Sequence, residues 1–193
     1  MVLYIHGFNS GPGGKDKEFR KLGVKVHSPQ LVNDPKKDLE VLRDIIISNH
    51  IEYVVGTSLG GFYAMILAIE FSYLKVHLIN PSFSPDTTLS YLIGTKIKNY
   101  KTGEESYVSG DFISHLSMIK PNIMHRHIID RLTFYVGSKD TVLDYESWSQ
   151  DIIDNGFALK IHVTEQNHRH SDISQVIANI KEDLVLFNEG YTQ

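Results

Sequence analysis

YVVGTSLGGFYA, residues 53–64, runs from β-branched and aromatic residues into a serine set between glycines and then into helix formers. Residues 53–56 have the composition of a buried strand. LGGFYAMILAIEF, residues 59–71, is apolar nearly all round, which predicts a helix packed against a sheet. A chain that passes from strand to helix this quickly must turn sharply, and the turn brings the residues two before and two after Ser58 together. Glycine at Gly56 and Gly60 avoids that clash, and Gly61 adds room. Gly56-Thr57-Ser58-Leu59-Gly60 is therefore a G-x-S-x-G pattern in the strand-turn-helix context that makes it a nucleophile elbow. Ser58 is the candidate nucleophile, and the Leu59 N–H at the helix start is a candidate oxyanion donor. The plainer reading makes the serine a helix cap.

Outward from this turn, strands and helices alternate. VLYI at residues 2–5 reads as a central strand, EFRKLG at 18–23 as a short helix and VKVHSPQL at 24–31 as a strand. Asp34-Pro35 caps an amphipathic helix with Leu39, Leu42, Ile45 and Ile46 on one face. KVHLINPSF is a strand, and LTFYVGSKD, YESWSQDIIDNG, ALKIHVTE and SDISQVIANIKEDLVLFN continue as strand, helix, strand and helix. Such alternation predicts an α/β fold, a mostly parallel sheet with helices on both faces and function gathered beyond the carboxyl ends of the strands. Residues 84–130 break the pattern and are expected to form a small cap or lid within a single domain spanning 1–193.

Composition excludes several classes of function. A balance of 19 basic against 23 acidic residues supplies no field for a phosphate backbone, so no nucleic acid partner is expected. With no cysteine there is no disulfide framework, thiolate zinc site or Cys nucleophile, and a reducing, cytoplasmic setting is expected. The N-terminal apolar run is too short for a membrane span. GPGGK at 11–15 lacks the P-loop pattern, with Asn9 and Asp16 where glycine and Ser or Thr are required, and reads as a loop beside the site. The pairs His125/His127 and His168/His170 have no third ligand cluster at recognisable spacing, so neither a metal nor another cofactor is expected.

A serine hydroxyl needs a base, and the base needs an acid to orient it. In this architecture the order along the chain is Ser, then Asp or Glu, then His. Asp140 ends the strand LTFYVGSKD and His168 follows ALKIHVTE, both at the sheet edge predicted for Ser58. Asp144 competes with Asp140 and is also placed to cap the next helix; His170 competes with His168. The loop after the first strand, His6-Gly7-Phe8-Asn9-Ser10, is where the second oxyanion donor belongs, assigned to the Phe8 N–H; the alternative is a plain turn with His6 bonded in the core. Leu92, Ile93, Tyr100, Phe112, Leu116 and Met118 are candidate walls of an acyl pocket, with simple packing of the cap on the core an equal alternative.

Four stretches, LYIHGFNS, VGTSLGGFYA, VGSKDTVLDY and TEQNH, together with YKTGEESYV, make the chain resemble the YqiA-like esterases of the α/β-hydrolase superfamily. The resemblance implies a compact hydrolase core and esterase activity on small-molecule acyl esters through Ser58, Asp140 and His168. A thioesterase using the same triad, or a non-catalytic ligand-binding protein on the same fold, are the alternatives.

Overall fold

The computed structural model describes residues 1–21 and 23–190. Its elements run β1 (Val2–Ile5), α1 (Lys15–Lys21), β2 (Val26–His27), α2 (Pro35–Ser48), β3 (Tyr53–Thr57), α3 (Leu59–Glu70), β4 (Lys75–Ile79), α4 (Pro85–Thr88), β5 (Lys96–Lys98), β6 (Glu105–Tyr107), α5 (Gly110–Met118), α6 (Arg126–Ile129), β7 (Leu132–Gly137), α7 (Tyr145–Asp154), β8 (Lys160–Thr164) and α8 (Ser174–Gly190). Six strands form one sheet in the order β2-β1-β3-β4-β7-β8, with every neighbouring pair parallel. This is the parallel α/β sheet expected from the alternation.

Strand periodicity divides the core into two layers. Leu3, Ile5, Val54, Val76, Leu78, Leu132 and Phe134 face one layer, closed by α2, α3 and α5. Val2, Tyr4, Tyr53, Val55, Ile79 and Tyr135 face the other, closed by Phe19 of α1 and Ile173, Val176, Ile177 and Ile180 at and within the start of α8. Alternate residues thus point to opposite faces, and both faces of the central strands are covered, so β1 and most of β3 carry apolar residues without interruption. Ten of the twelve residues of α3 are buried, as its all-round apolar sequence requires.

Three local readings shift. Helix α1 begins at Lys15 rather than at residue 18, because the buried Asp16 carboxylate accepts the N–H groups of Gly13 and Gly14, both at 2.8 Å, and pairs with Arg20. Leu22, within the helix expected at 18–23, lies outside the described residues, as do residues 191–193. The strand expected at 24–31 contracts to Val26 and His27, since Pro29 has no N–H and Leu31 donates its own to the His6 ring instead of to a strand. Residues 84–130 hold more order than their sequence suggests: an antiparallel hairpin, β5-β6, and α5, whose Phe112, Ile113 and Leu116 enter the core.

One buried acid in this scaffold makes stability depend on pH. Asp38 in α2 accepts the Val32 N–H at 2.8 Å and lies 3.5 Å from the Tyr63 hydroxyl, and burial pushes its carboxyl up to about 6. Because the folded state then holds its proton more tightly than the unfolded chain, Asp38 favours folding below about pH 4, and that contribution is lost as pH rises through about 6. Asp38→Asn, which carries no charge, is expected to gain roughly 1–3 kcal/mol on wild type between pH 4 and 7, read from urea denaturation at both pH values. An unchanged difference between the two proteins would contradict the assignment.

Candidate active site

The carboxyl ends of β1, β3, β7 and β8 lead into loops that meet around Ser58. Strand β3 is bonded to β1 and β4 along its length and delivers the serine at the edge of the sheet. A Cβ at Gly56 would fall on the Gly60 carbonyl, and one at Gly60 on the Ile5 carbonyl, so strand, turn and helix approach within backbone contact. Ser58 itself adopts φ 54° and ψ −118°, a conformation costly for any residue with a Cβ. The surrounding bonds hold it there. Its N–H donates to the Ile79 carbonyl at 3.1 Å, and its carbonyl accepts from Gly61 at 2.9 Å and Ser82 at 3.1 Å.

The Ser58 side chain makes no helix-capping bond. Its Oγ lies 3.2 Å from Nε2 of His168, and Nδ1 of His168 lies 2.7 Å from Oδ2 of Asp140. A carboxylate can only accept, so Nδ1 carries the proton and Nε2 is left to accept from the serine hydroxyl. The Asp140 carboxylate is 2% exposed, and its other oxygen accepts the Val142 and Leu143 N–H groups at 2.8 and 3.1 Å, which fixes its orientation. Asp144 is elsewhere, capping α7 through the N–H groups of Glu146 and Ser147. His170 is buried, faces no carboxylate within ion-pair distance among the described residues, and its Nδ1 is without a hydrogen-bond partner. Burial and the nearby Lys15 charge push that ring down to about 4.

His6 shapes the loop after β1. Its Nδ1 donates to the Gly7 carbonyl at 2.8 Å while Nε2 accepts the Leu31 N–H at 3.2 Å, and burial holds it below the usual histidine range. A fully bonded neutral ring fixes the turn, and Gly7 passes so close that a Cβ there would lie 3.2 Å from that of Ser58. Phe8 and Leu59 both line the cleft of about 660 Å³ into which Ser58 and His168 open. Of the six candidate pocket residues, Leu92 and Tyr100 line this cleft. Phe112 instead stacks on Phe8, Leu116 is fully buried in the core, and Ile93 and Met118 face solvent. Packing of α5 on the core takes Phe112 and Leu116, the alternative that their apolar character left open. Among the described residues, no group of three or more His, Asp or Glu side chains could hold a metal ion.

Sequence reading misses Asn80. It sits at φ 40° just past β4, buried, and its Oδ1 accepts the Gly137 N–H at 2.8 Å while its Nδ2 donates to the carbonyls of Asn167 and His168, both at 3.1 Å. One amide thereby ties the end of the strand leading to Asp140 to the loop that carries His168. Asparagine's tolerance of positive φ is the available signal, but the partners lie 57 to 88 residues away. Asn80→Ala strands the buried Gly137 N–H and is expected to cost about 2–3 kcal/mol in urea denaturation; a loss under about 0.5 kcal/mol would show that the two loops hold without it.

The family described as "Uncharacterised protein family (UPF0227)" matches residues 1–184. The chain belongs to this family, the one whose YqiA-like members its motifs resemble. A UPF0227 protein of Shewanella woodyi is 28% identical over 99 residues, a match that spans 46% of this chain and 55% of that protein. Among solved structures, mouse alpha/beta hydrolase domain-containing protein 10 superposes with a TM-score of 0.68 at 15% identity, covering 96% of this chain and 90% of that one. Est1E from Butyrivibrio proteoclasticus gives 0.66 at 16% identity, covering 95% and 86%. An esterase from Mycobacterium tuberculosis gives 0.64 at 15% identity, covering 95% and 83%. At such identities the likeness is one of fold, the α/β-hydrolase fold.

Proposed function

We propose that this protein is a serine hydrolase that cleaves small-molecule acyl esters through an acyl-enzyme, with Ser58 as nucleophile, His168 as base and Asp140 as its orienting acid. The observation that carries the reading is the continuous hydrogen-bonded chain from Ser58 Oγ through His168 to the buried Asp140, opening into a cleft. The Mycobacterium tuberculosis protein bears an esterase name on the same fold, which supports the class of reaction. In the first step His168 Nε2 takes the hydroxyl proton as Ser58 Oγ bonds to the acyl carbon, and Asp140 stabilises the resulting imidazolium. Negative charge gathers on the carbonyl oxygen, for which the Leu59 and Phe8 N–H groups are the proposed donors. His168 then protonates the leaving alkoxide. Water, deprotonated by the same ring, releases the acid and restores the serine.

Residues 84–130 are proposed to act as a cap, since Leu89, Tyr91, Leu92 and Tyr100 form one wall of the cleft. The cysteine-free composition fits a cytoplasmic enzyme. No helix among the described residues is long and apolar enough to cross a membrane.

A fluorophosphonate probe tests the proposal directly. One covalent adduct on Ser58, found by peptide mass spectrometry and lost in His168→Ala, is expected together with turnover of p-nitrophenyl esters. A folded wild type that neither labels nor turns over any ester would favour the ligand-binding reading instead.

A further inference from the structure

The cleft combines apolar and cationic side chains in its lining. Lys15, Lys101 and Arg169 all line it, in a chain whose formal net charge is −4. Three hydrogen bonds bring them together. The Lys15 ammonium donates to the Arg169 carbonyl at 2.6 Å, which ties the first residue of α1, at the end of the preceding loop, to the residue following His168. The β5-β6 turn docks on that same loop, Asn99 donating to the Ser10 carbonyl at 2.9 Å and Lys101 to the Gly13 carbonyl at 3.3 Å.

None of the three cations has a carboxylate within ion-pair distance among the described residues. Glu18, the one carboxylate lining the cleft among the described residues, is engaged by Lys21 at 2.8 Å. Carbonyl contacts leave donors on each ammonium and do nothing to neutralise its charge. Lys15 shows the strain of this arrangement: burial, helped by the Arg169 charge, pushes its amine down to about 8. A half-buried cation without a counter-charge carries a desolvation cost that an anionic ligand would offset.

We infer that Lys15, Lys101 and Arg169 form an anion subsite beside Ser58, so that the preferred substrates are acyl esters bearing a carboxylate or phosphate away from the reacting carbonyl. The inference rests on the proposed hydrolase reading and specifies its substrate class. The apolar wall formed by Leu89, Leu92 and Leu143 takes the hydrocarbon portion, while the cations take the charge. Three cations inside a cleft with apolar walls also concentrate field lines and draw anions toward the serine.

The test compares the p-nitrophenyl monoester of a dicarboxylic acid, its far carboxylate free, with the same compound methylated there. Acyl length and leaving group are then matched, and a third ester with a terminal phosphate distinguishes carboxylate from phosphate. The charged esters are expected to show a kcat/KM about tenfold or more above the neutral one at low salt, with most of the advantage in KM, shrinking in about 1 M salt. The ratio is expected to collapse toward one in Lys15→Met, which keeps the apolar stem, and to fall several-fold in Lys101→Gln, which disturbs the fold less. Equal turnover of charged and neutral esters overturns the anion subsite and leaves the hydrolase reading standing. So does a preference that survives both substitutions, since it must then come from elsewhere. Failure to turn over any ester removes the hydrolase reading, and the inference falls with it.

Discussion

Ser58→Ala is expected to leave a folded protein whose ester hydrolysis is lower by about 10⁴- to 10⁶-fold, and His168→Ala to do the same. The size of the loss follows from how the proposed groups act together. Without His168 Nε2 at 3.2 Å, the serine hydroxyl has no base; without the hydroxyl, the base has only water to activate. Removing either therefore costs nearly what removing both would, and the double variant should be little worse than either single one. Asp140→Asn should fall by about 10⁴-fold, because an amide can present its N–H to Nδ1 and turn the ring to the wrong tautomer. Folding should be nearly unaffected in Ser58→Ala, since the hydroxyl makes no capping bond and the turn is held by backbone bonds. Hydrolysis of p-nitrophenyl esters, with circular dichroism on every variant, reads both effects. Equal activity in wild type and a folded Ser58→Ala would refute the serine as nucleophile.

Gly60→Ala is expected to be strongly damaging, one of the few added methyl groups among the described residues that would fall directly on backbone. Its Cβ would overlap the Ile5 carbonyl and lie 2.7 Å from the His6 oxygen, and both are backbone atoms of β1 and the loop beside the site. No rotamer change relieves such a contact, so α3 must move away from β1 and open the core between them. Overpacking of this kind costs roughly 3 kcal/mol or more, a large part of the margin by which a domain is stable. Gly110→Ala is the control. It meets nothing within 4 Å and lies at the start of α5 with no positive φ, so alanine there should be neutral or stabilising by about 0.5–1 kcal/mol. Urea denaturation of the pair is the measurement. A Gly60→Ala protein as stable as wild type would mean that strand and helix do not approach as closely as described.

Elements whose identity depends on neighbours in the chain are legible in the sequence. Strand β3, the turn at Ser58 and helix α3 follow from residue types alone, and Asp34-Pro35 marks the start of α2, where Asp34 does accept the Lys37 N–H. Residues 84–130 are not legible in this way. The three-residue strands β5 and β6 are too short for a two-residue period to register, and α5 is half covered by contacts made far along the chain. The pocket residues divide for a related reason: apolar character does not say whether cleft, core or solvent meets a side chain, and Phe112 and Leu116 pack inward while Ile93 and Met118 stay exposed.

The amino-acid sequence by itself determined the parallel α/β architecture, the sharp turn at Ser58 and the order in which serine, acid and histidine occur, because each is set by local periodicity, by glycine's missing side chain or by position at a strand end. Only the tertiary structure decided that Asp140 and not Asp144 meets His168, that Asn80 joins their loops, and that Lys15, Lys101 and Arg169 share one cleft. These are contacts between residues separated by 28 to 154 positions. Such contacts depend on which strands lie side by side in the sheet, and no periodicity along the chain encodes that arrangement.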